Sequence, residues 1–150
     1  MPSSKRSATK SSLYEKRLRE LTFFLDRNLG SKRVAEALRQ AGAKVEVHAD
    51  HFAPDGADEE WLAACGERGW IAITLDYRIR YRASERDALR QNKVRAFLIA
   101  RAGELNSEAL SRLLLAKLPK FVALASQMPA PFAYRLTPSG ALTQLPLKQL

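Results

Sequence analysis

Three aspartates occupy positions from which carboxylates could converge on a divalent metal ion. Asp26 directly follows the apolar run of residues 21–25, Asp76 directly follows the apolar run of residues 70–75, and Asp58 stands where a helix is expected to begin. Carboxylates held close together repel one another unless a cation neutralises them, and hard oxygen ligands suit Mg²⁺ or Mn²⁺. The sequence therefore suggests a metal site formed by Asp26, Asp58 and Asp76.

Each of these acids also has a simpler explanation. Asp58 is well placed to cap a helix, and an aspartate that follows a strand needs only solvent around it. Glu59 is a weaker candidate for an additional metal ligand, because an acid in a first helical turn also favours the helix dipole. Only the joint placement of the three aspartates favours a metal site over three unrelated acids.

The predicted secondary structure brings these acids to one edge of a sheet. Apolar runs bounded by turn residues predict strands, and apolar residues at helical spacing predict helices. The predicted strands cover residues 21–25, 44–48, 70–75 and 94–99, and the predicted helices cover residues 13–20, 31–40, 58–68, 84–91 and 106–125. This alternation indicates an α/β fold with a mainly parallel sheet of about four strands and helices on both faces. Ligands bind beyond the carboxyl ends of such strands, where Asp26 and Asp76 stand.

The chain is expected to form one compact domain with a short extension at each end. We predict a flexible basic tail over residues 1–12, the domain over residues 13–127, and a C-terminal hairpin or tail over residues 128–150. A turn signal at residues 138–140 supports the hairpin.

The composition favours a globular protein with an anionic partner. The chain has 150 residues, of which 46% are hydrophobic and 27% charged, and its formal net charge is +9, which favours nucleic acid. An acidic metal site on a basic surface would suit a phosphodiester, because basic groups hold the backbone while metal ions assist the chemistry. No stretch is apolar enough to span a membrane or to act as a secretory signal, so we expect a cytoplasmic protein without a membrane partner.

Three short stretches resemble the signature sequences of PIN-like domains. They are FFLDRNL at residues 23–29, DEEW at residues 58–61 and ITLD at residues 73–76, of which the last is the most specific. The closest resemblance is to VapC-type toxins of the compact PIN-like subgroup, and it runs from about residue 23 to residue 124. The resemblance implies that residues 13–127 form a PIN-like nuclease domain.

The same resemblance implies an activity and partners. In that family the acids hold Mg²⁺ or Mn²⁺, and a metal-activated water cleaves an RNA phosphodiester. The roles of catalytic residue and metal ligand would fall here on Asp26, Asp58 and Asp76. The implied protein is an endoribonuclease, the toxin of a toxin–antitoxin pair, with RNA as its substrate and a cognate antitoxin as its partner. Members often form dimers, so a homodimer is a further implied partner.

One acid of the family pattern has no clear counterpart in this chain. It is usually a glutamate between the first strand and the later aspartates, and Asp50, Asp55 and Glu59 are the candidates. The sequence therefore leaves open whether one or two metal ions bind. It also leaves open an alternative function, that of a catalytically weak or inactive PIN-like module that binds RNA or a protein.

Basic side chains near the acids are candidates for contact with RNA. Arg78, Arg80 and Arg82 alternate with aromatic and apolar residues after Asp76, so the run offers guanidinium groups for phosphates and rings for exposed bases. Arg27 and Lys32 complete the predicted RNA-binding set. The alternative for the arginine run is a solvated basic turn.

Several other motifs are set aside. Residues 30–32 lack the first glycine of a phosphate-binding loop, and no acid pair after the first strand supports a phosphoacceptor signalling domain. His48 and His51 are too few for a zinc site of their own, so metal binding by this pair is the less favoured interpretation. Cys65 lies in an apolar run and is interpreted as a buried packing thiol.

Overall fold

The computed structural model describes residues 12–29, 32–75, 83–101 and 104–147. Four of the predicted site residues, Asp76, Arg78, Arg80 and Arg82, lie outside this range. The predicted tail over residues 1–12 also lies outside it, except for Ser12, which is helical.

Helices and strands alternate along the described chain, as the sequence predicts. We label residues 12–20 as helix α1. The other helices are α2 (Lys32–Gln40), α3 (Asp58–Arg68), α4 (Ala83–Gln91) and α5 (Ser107–Gln127), and a 3₁₀ turn covers His48–Asp50. The strands are β1 (Thr22–Leu25), β2 (Lys44–Val47), β3 (Ile71–Leu75), β4 (Arg95–Ile99), β5 (Phe132–Leu136) and β6 (Leu142–Leu145).

The strands form one sheet in the order β2-β1-β3-β4-β5-β6. All pairings are parallel except that of β5 with β6, which is antiparallel. The predicted α/β class with a mainly parallel sheet is thus confirmed, but the sheet has six strands rather than about four. The predicted C-terminal hairpin accounts for the difference, because its first strand pairs with β4 and so extends the sheet.

The chain reverses its direction across the sheet at β1. From β1 it passes through α2 to the edge strand β2, and then through α3 back past β1 to β3. Helix α2 packs on one face of the sheet and α3 on the other, as their buried side chains belong to different core clusters. The two connections therefore cover opposite faces of the sheet, and parallel sheets typically bind ligands beyond the carboxyl ends of the strands near such a change of face.

Alternate residues of the strands point to two separate cores, which explains why the strands are apolar on both sides. Phe23, Leu25 and Ile73 pack with α2 and the buried leucines of α5. Phe24 lies on the opposite face, where it stacks on Trp61 of α3 with the ring centroids 5.4 Å apart. Among the described residues, no helix combines the length and the apolar character needed to cross a membrane.

Candidate metal and nuclease site

Asp26 lies immediately beyond β1, at the carboxyl end of the sheet. Its backbone N–H donates to the carbonyl of Ile73 at 3.1 Å, so Asp26 continues the pairing between β1 and β3. Its side chain is buried, with 1% of the residue exposed. Oδ2 accepts a hydrogen bond from the Thr74 hydroxyl at 2.7 Å, and Oδ1 accepts one from the backbone N–H of Arg27, also at 2.7 Å. Both carboxylate oxygens are therefore fixed by donors.

Thr74 is a site residue that our sequence analysis did not single out. It is the one polar side chain of β3, whose sequence is IAITL, and it is 1% exposed. A hydroxyl buried in such a strand needs a partner, and an ionised carboxylate is a strong acceptor for it. The signal was present in the ITLD stretch, where the threonine stands two residues before Asp76.

Asp58 is the first residue of α3 and is 6% exposed. The interpretation of Asp58 as a helix cap is wrong, because Ala57 occupies the N-cap position and no side chain caps the helix there. The carboxylate instead receives two donors on Oδ1, the indole N–H of Trp61 at 3.1 Å and Nη2 of Arg27 at 3.2 Å. A buried acid held by directed donors is typical of a site rather than of a solvated helix end.

Arg27 connects the two acids. Its backbone N–H binds Asp26, as described above, while its guanidinium forms the ion pair with Asp58. Nη1 of the same guanidinium donates to the carbonyls of Pro54 and Gly56, at 3.0 and 2.8 Å. The Arg27 side chain is 23% exposed, so most of it is enclosed by the loop that leads into α3.

His48 lies beside Asp26, in the 3₁₀ turn that directly follows the neighbouring strand β2. The parallel register pairs Leu25 with Val47, so the next residues, Asp26 and His48, follow at the carboxyl ends of β1 and β2. His48 is 2% exposed, and its Nε2 has no hydrogen-bond partner among the described residues. Burial lowers the pKa of His48, and Arg27 lowers it further, while Asp26, Asp58 and Glu60 raise it. Burial thus disfavours the charged form of this imidazole, although several charged groups lie around it.

The register places His48, Asp26 and Thr74 in one row across β2, β1 and β3, which we call the carboxyl-end row. These three residues share the face of the sheet that carries Phe24 and is covered by α3. Asp58 is brought to this face by the first turn of the same helix. The fold thus assembles a buried polar group from three strands and one helix.

The donor chemistry fits a hard divalent cation in part. Asp26 and Asp58 provide two buried carboxylates of the type that Mg²⁺ and Mn²⁺ prefer. Within residues 12–29, 32–75, 83–101 and 104–147, no three His, Cys, Asp or Glu side chains lie close enough together to hold a metal ion. The third predicted ligand, Asp76, directly follows the last residue of β3 and is outside those ranges.

The remaining predicted residues are on the surface or outside the described ranges. Glu59, Asp50 and Asp55, the candidates for the missing acid, are all exposed. Lys32 is the first residue of α2 and is also exposed, as expected of a residue that contacts a large ligand. His51 is hydrogen-bonded to Glu46, with Nε2 and Oε2 2.8 Å apart.

Comparison with known proteins gives a family match and a curated relative. The family model described as a PIN-like domain matches residues 21–101. The Mycobacterium tuberculosis protein VapC45, which is named as a ribonuclease, is 34% identical over 120 residues, a span that covers 77% of this chain and 86% of that protein. No solved structure gives a significant match. The residues matched by the family model include both described acids and the whole carboxyl-end row.

Proposed function

This chain belongs to the PIN-like domain family, as a member of the VapC type, and from that membership we propose that it is a metal-dependent endoribonuclease. We further propose that it is the toxin of a toxin–antitoxin pair. The name of its Mycobacterium tuberculosis relative supports the ribonuclease activity.

The observation that carries the proposal is the fixed, buried carboxylate of Asp26. A carboxylate that is 1% exposed and receives two hydrogen bonds of 2.7 Å has little freedom to turn. Such fixation is expected of a metal ligand, whose orientation is set by partners in the surrounding shell. A surface aspartate that merely ends a strand would need none of these donors.

Asp26, Asp58 and Asp76 are the residues that would hold Mg²⁺ or Mn²⁺, with Glu59 as an additional candidate. When bound, the metal supplies an activated water and stabilises the charge that develops on the phosphodiester. Thr74 keeps Oδ2 of Asp26 oriented, and Trp61 and Arg27 do the same for Oδ1 of Asp58.

Basic residues outside the acidic cluster would hold the RNA. The net charge of +9 favours encounter with a polyanion, and arginine can grip a phosphate with two parallel donors. We propose that Arg78, Arg80 and Arg82 do so beside Asp76, with exposed Lys32 contributing from the start of α2. The partners of the protein would then be RNA and a cognate antitoxin in the cytoplasm, with a homodimer as a further assembly.

The test of the proposal is cleavage of mixed cellular RNA by the purified protein with Mn²⁺, with Mg²⁺ and with chelator. Wild type is compared with Asp26→Asn and with the matched control Asp87→Asn. Asp87 lies on α4, where it pairs with Arg90 in a partly exposed contact, so its replacement should have little effect. Metal-dependent cutting that is lost in Asp26→Asn and kept in Asp87→Asn is the expected result.

A second candidate function is a PIN-like module that binds RNA or a protein without cutting. The observation in its favour is that the Asp58 carboxylate is engaged by Arg27 and Trp61, as a purely structural acid would be. RNA that is bound but left intact under every metal condition would establish this alternative and overturn the nuclease.

A further inference from the structure

Arg27 contacts both described acids of the candidate site. Its backbone N–H donates to Oδ1 of Asp26, and its guanidinium donates to Oδ1 of Asp58, which is 31 positions further along the chain. One residue thus ties the end of β1 to the start of α3. Any movement of Arg27 would be transmitted to both carboxylates.

The guanidinium is committed to contacts within the protein. It donates to the carbonyls of Pro54 and Gly56 as well as to Asp58, with distances between 2.8 and 3.2 Å. The loop of residues 54–58 therefore closes around the guanidinium. Guanidinium N–H groups that donate to these protein oxygens are not available to a phosphate at the same time. These contacts compete with the RNA-binding role that the sequence suggests for Arg27.

The charge of Arg27 matters because Asp58 is almost completely buried. The side chain of Asp58 is 5% exposed, and a carboxylate removed from water is costly unless cations and hydrogen bonds compensate it. Arginine does not lose its proton in proteins, so it provides a permanent positive charge 3.2 Å from Asp58. The guanidinium thus supplies part of the compensation that the buried carboxylate of Asp58 needs.

We propose that Arg27 is a positioning residue that serves as an internal counter-ion of the metal site. It holds Asp58 and the loop of residues 54–58 against the end of β1 when no metal is bound, so that the acids stay assembled. The metal-linked part of this proposal rests on the proposed nuclease function, whereas the pairing with Asp58 does not. Arg27 and a bound metal would both compensate the negative charge of Asp58. The loss of stability on removing one of them would therefore be smaller when the other is present.

A double-mutant cycle of wild type, Arg27→Gln, Asp58→Asn and the double variant, measured in chelator, tests the pairing without any metal. We expect Arg27→Gln to lower the melting temperature by on the order of 5 °C, because buried Asp58 loses a cationic partner. Adding Asp58→Asn to Arg27→Gln should recover part of that loss, because the buried charge is then gone. Arg112→Gln, an exposed site on α5, is the control with the same change in net charge.

Arg27 could stabilise the protein by binding the loop carbonyls or by compensating the charge of Asp58, and the cycle gives different results for these two roles. If Arg27 acted only by binding the carbonyls of Pro54 and Gly56, the double variant would be no more stable than Arg27→Gln. That result would overturn the counter-ion proposal. A melting temperature unchanged by Arg27→Gln, together with weaker RNA binding, would overturn it in favour of direct RNA contact. Arg27→Lys keeps the positive charge but lacks the planar set of guanidinium donors. Its melting temperature should lie between those of wild type and Arg27→Gln.

A melting series with added Mn²⁺ tests the metal-linked part. We expect Mn²⁺ to raise the melting temperature of Arg27→Gln by more than that of wild type, because the ion replaces the missing positive charge. An equal rise in melting temperature in the two proteins would overturn the proposal that Arg27 and the metal both compensate the charge of Asp58. If Mn²⁺ stabilises neither protein, the proposed metal function fails, while the cycle in chelator still decides the role of Arg27.

Discussion

The Thr74 hydroxyl donates a hydrogen bond of 2.7 Å to Oδ2 of Asp26, and so joins the carboxyl ends of the two neighbouring strands β1 and β3. Both residues are 1% exposed, so no bulk water competes for this contact. The hydroxyl defines where the second oxygen of Asp26 points, and thereby where a cation would meet it.

Removal of this hydroxyl should weaken the site. Thr74→Val keeps the shape of the side chain but leaves Oδ2 of Asp26 without its donor. We expect Mn²⁺ affinity or cleavage rate to fall by about 10–100-fold, the usual effect of losing a partner of a metal ligand. Titration of the metal-free protein with Mn²⁺ and a cleavage assay measure the two quantities. Thr74→Ser keeps the hydroxyl and should retain most of the function, and equal behaviour of Val and Ser variants would contradict this role.

The indole of Trp61 should matter for Asp58 beyond its packing. Trp61→Phe removes the donor to Oδ1 of Asp58 and should lower the free energy of unfolding by about 1–3 kcal/mol, because a buried acceptor loses a partner. Urea denaturation measures the change. Trp70→Phe is the control for loss of an indole, because Trp70 also stacks on Phe24 but directly precedes β3, at the amino end of that strand. Only Trp61→Phe should reduce cleavage as well as stability.

Stability should fall as the pH drops below the ordinary pKa of histidine, because burial lowers the pKa of His48. The unfolded chain then binds a proton that the folded protein does not, and the stability present above about pH 6.5 is lost progressively on acidification. Between pH 7.5 and 5.5 this histidine contributes at most about 1.4 kcal/mol of the loss. The charges that face it, Asp26, Arg27, Asp58 and Glu60, set how much of that is realised.

Denaturant titrations of wild type and His48→Gln at the two pH values check this expectation. The variant should lose less stability on acidification than wild type. His51→Gln is the comparison, because His51 is exposed and pairs with Glu46. An identical loss in wild type and His48→Gln would show that other groups govern the acid sensitivity.

Cys65 should be chemically inert in the folded protein. It is 0% exposed, and burial strongly raises the pKa of its thiol, so the reactive thiolate is scarce at neutral pH. A thiol-specific reagent at pH 8 should label the native protein far more slowly than the protein unfolded in urea. Fast labelling of the native form would contradict the buried position on α3.

The sequence was sufficient to predict the fold class because the periodicity is strong. The runs that became β1 and β3 are apolar except for one threonine each, and the apolar positions of α2 recur at helical spacing, so the alternation of elements was clear. The pairing of β5 with β4 was not predicted. A hairpin signal fixes the antiparallel partner of a strand but says nothing about which other strand it will join.

For the candidate site, the sequence indicated which acids to consider but not what holds them. Asp58 was expected to cap a helix, and only the backbone geometry at Ala57 decides that the cap lies one residue earlier. The burial of His48 depends on its register with Asp26 and on the cover provided by α3, neither of which is local in sequence. The proposed roles of Asp26, Asp58 and Asp76 stay predictions until the variants are measured.

The hydrogen bond from the Asp26 backbone to Ile73 links the site to the opening of the sheet between β1 and β3. This amide lies between two inner strands of the sheet, so it exchanges with solvent deuterium only when β1 and β3 separate. The same opening parts Asp26 from Thr74. The exchange rate of one backbone proton therefore reports how often the candidate site comes apart in the native protein, without any substrate or metal present.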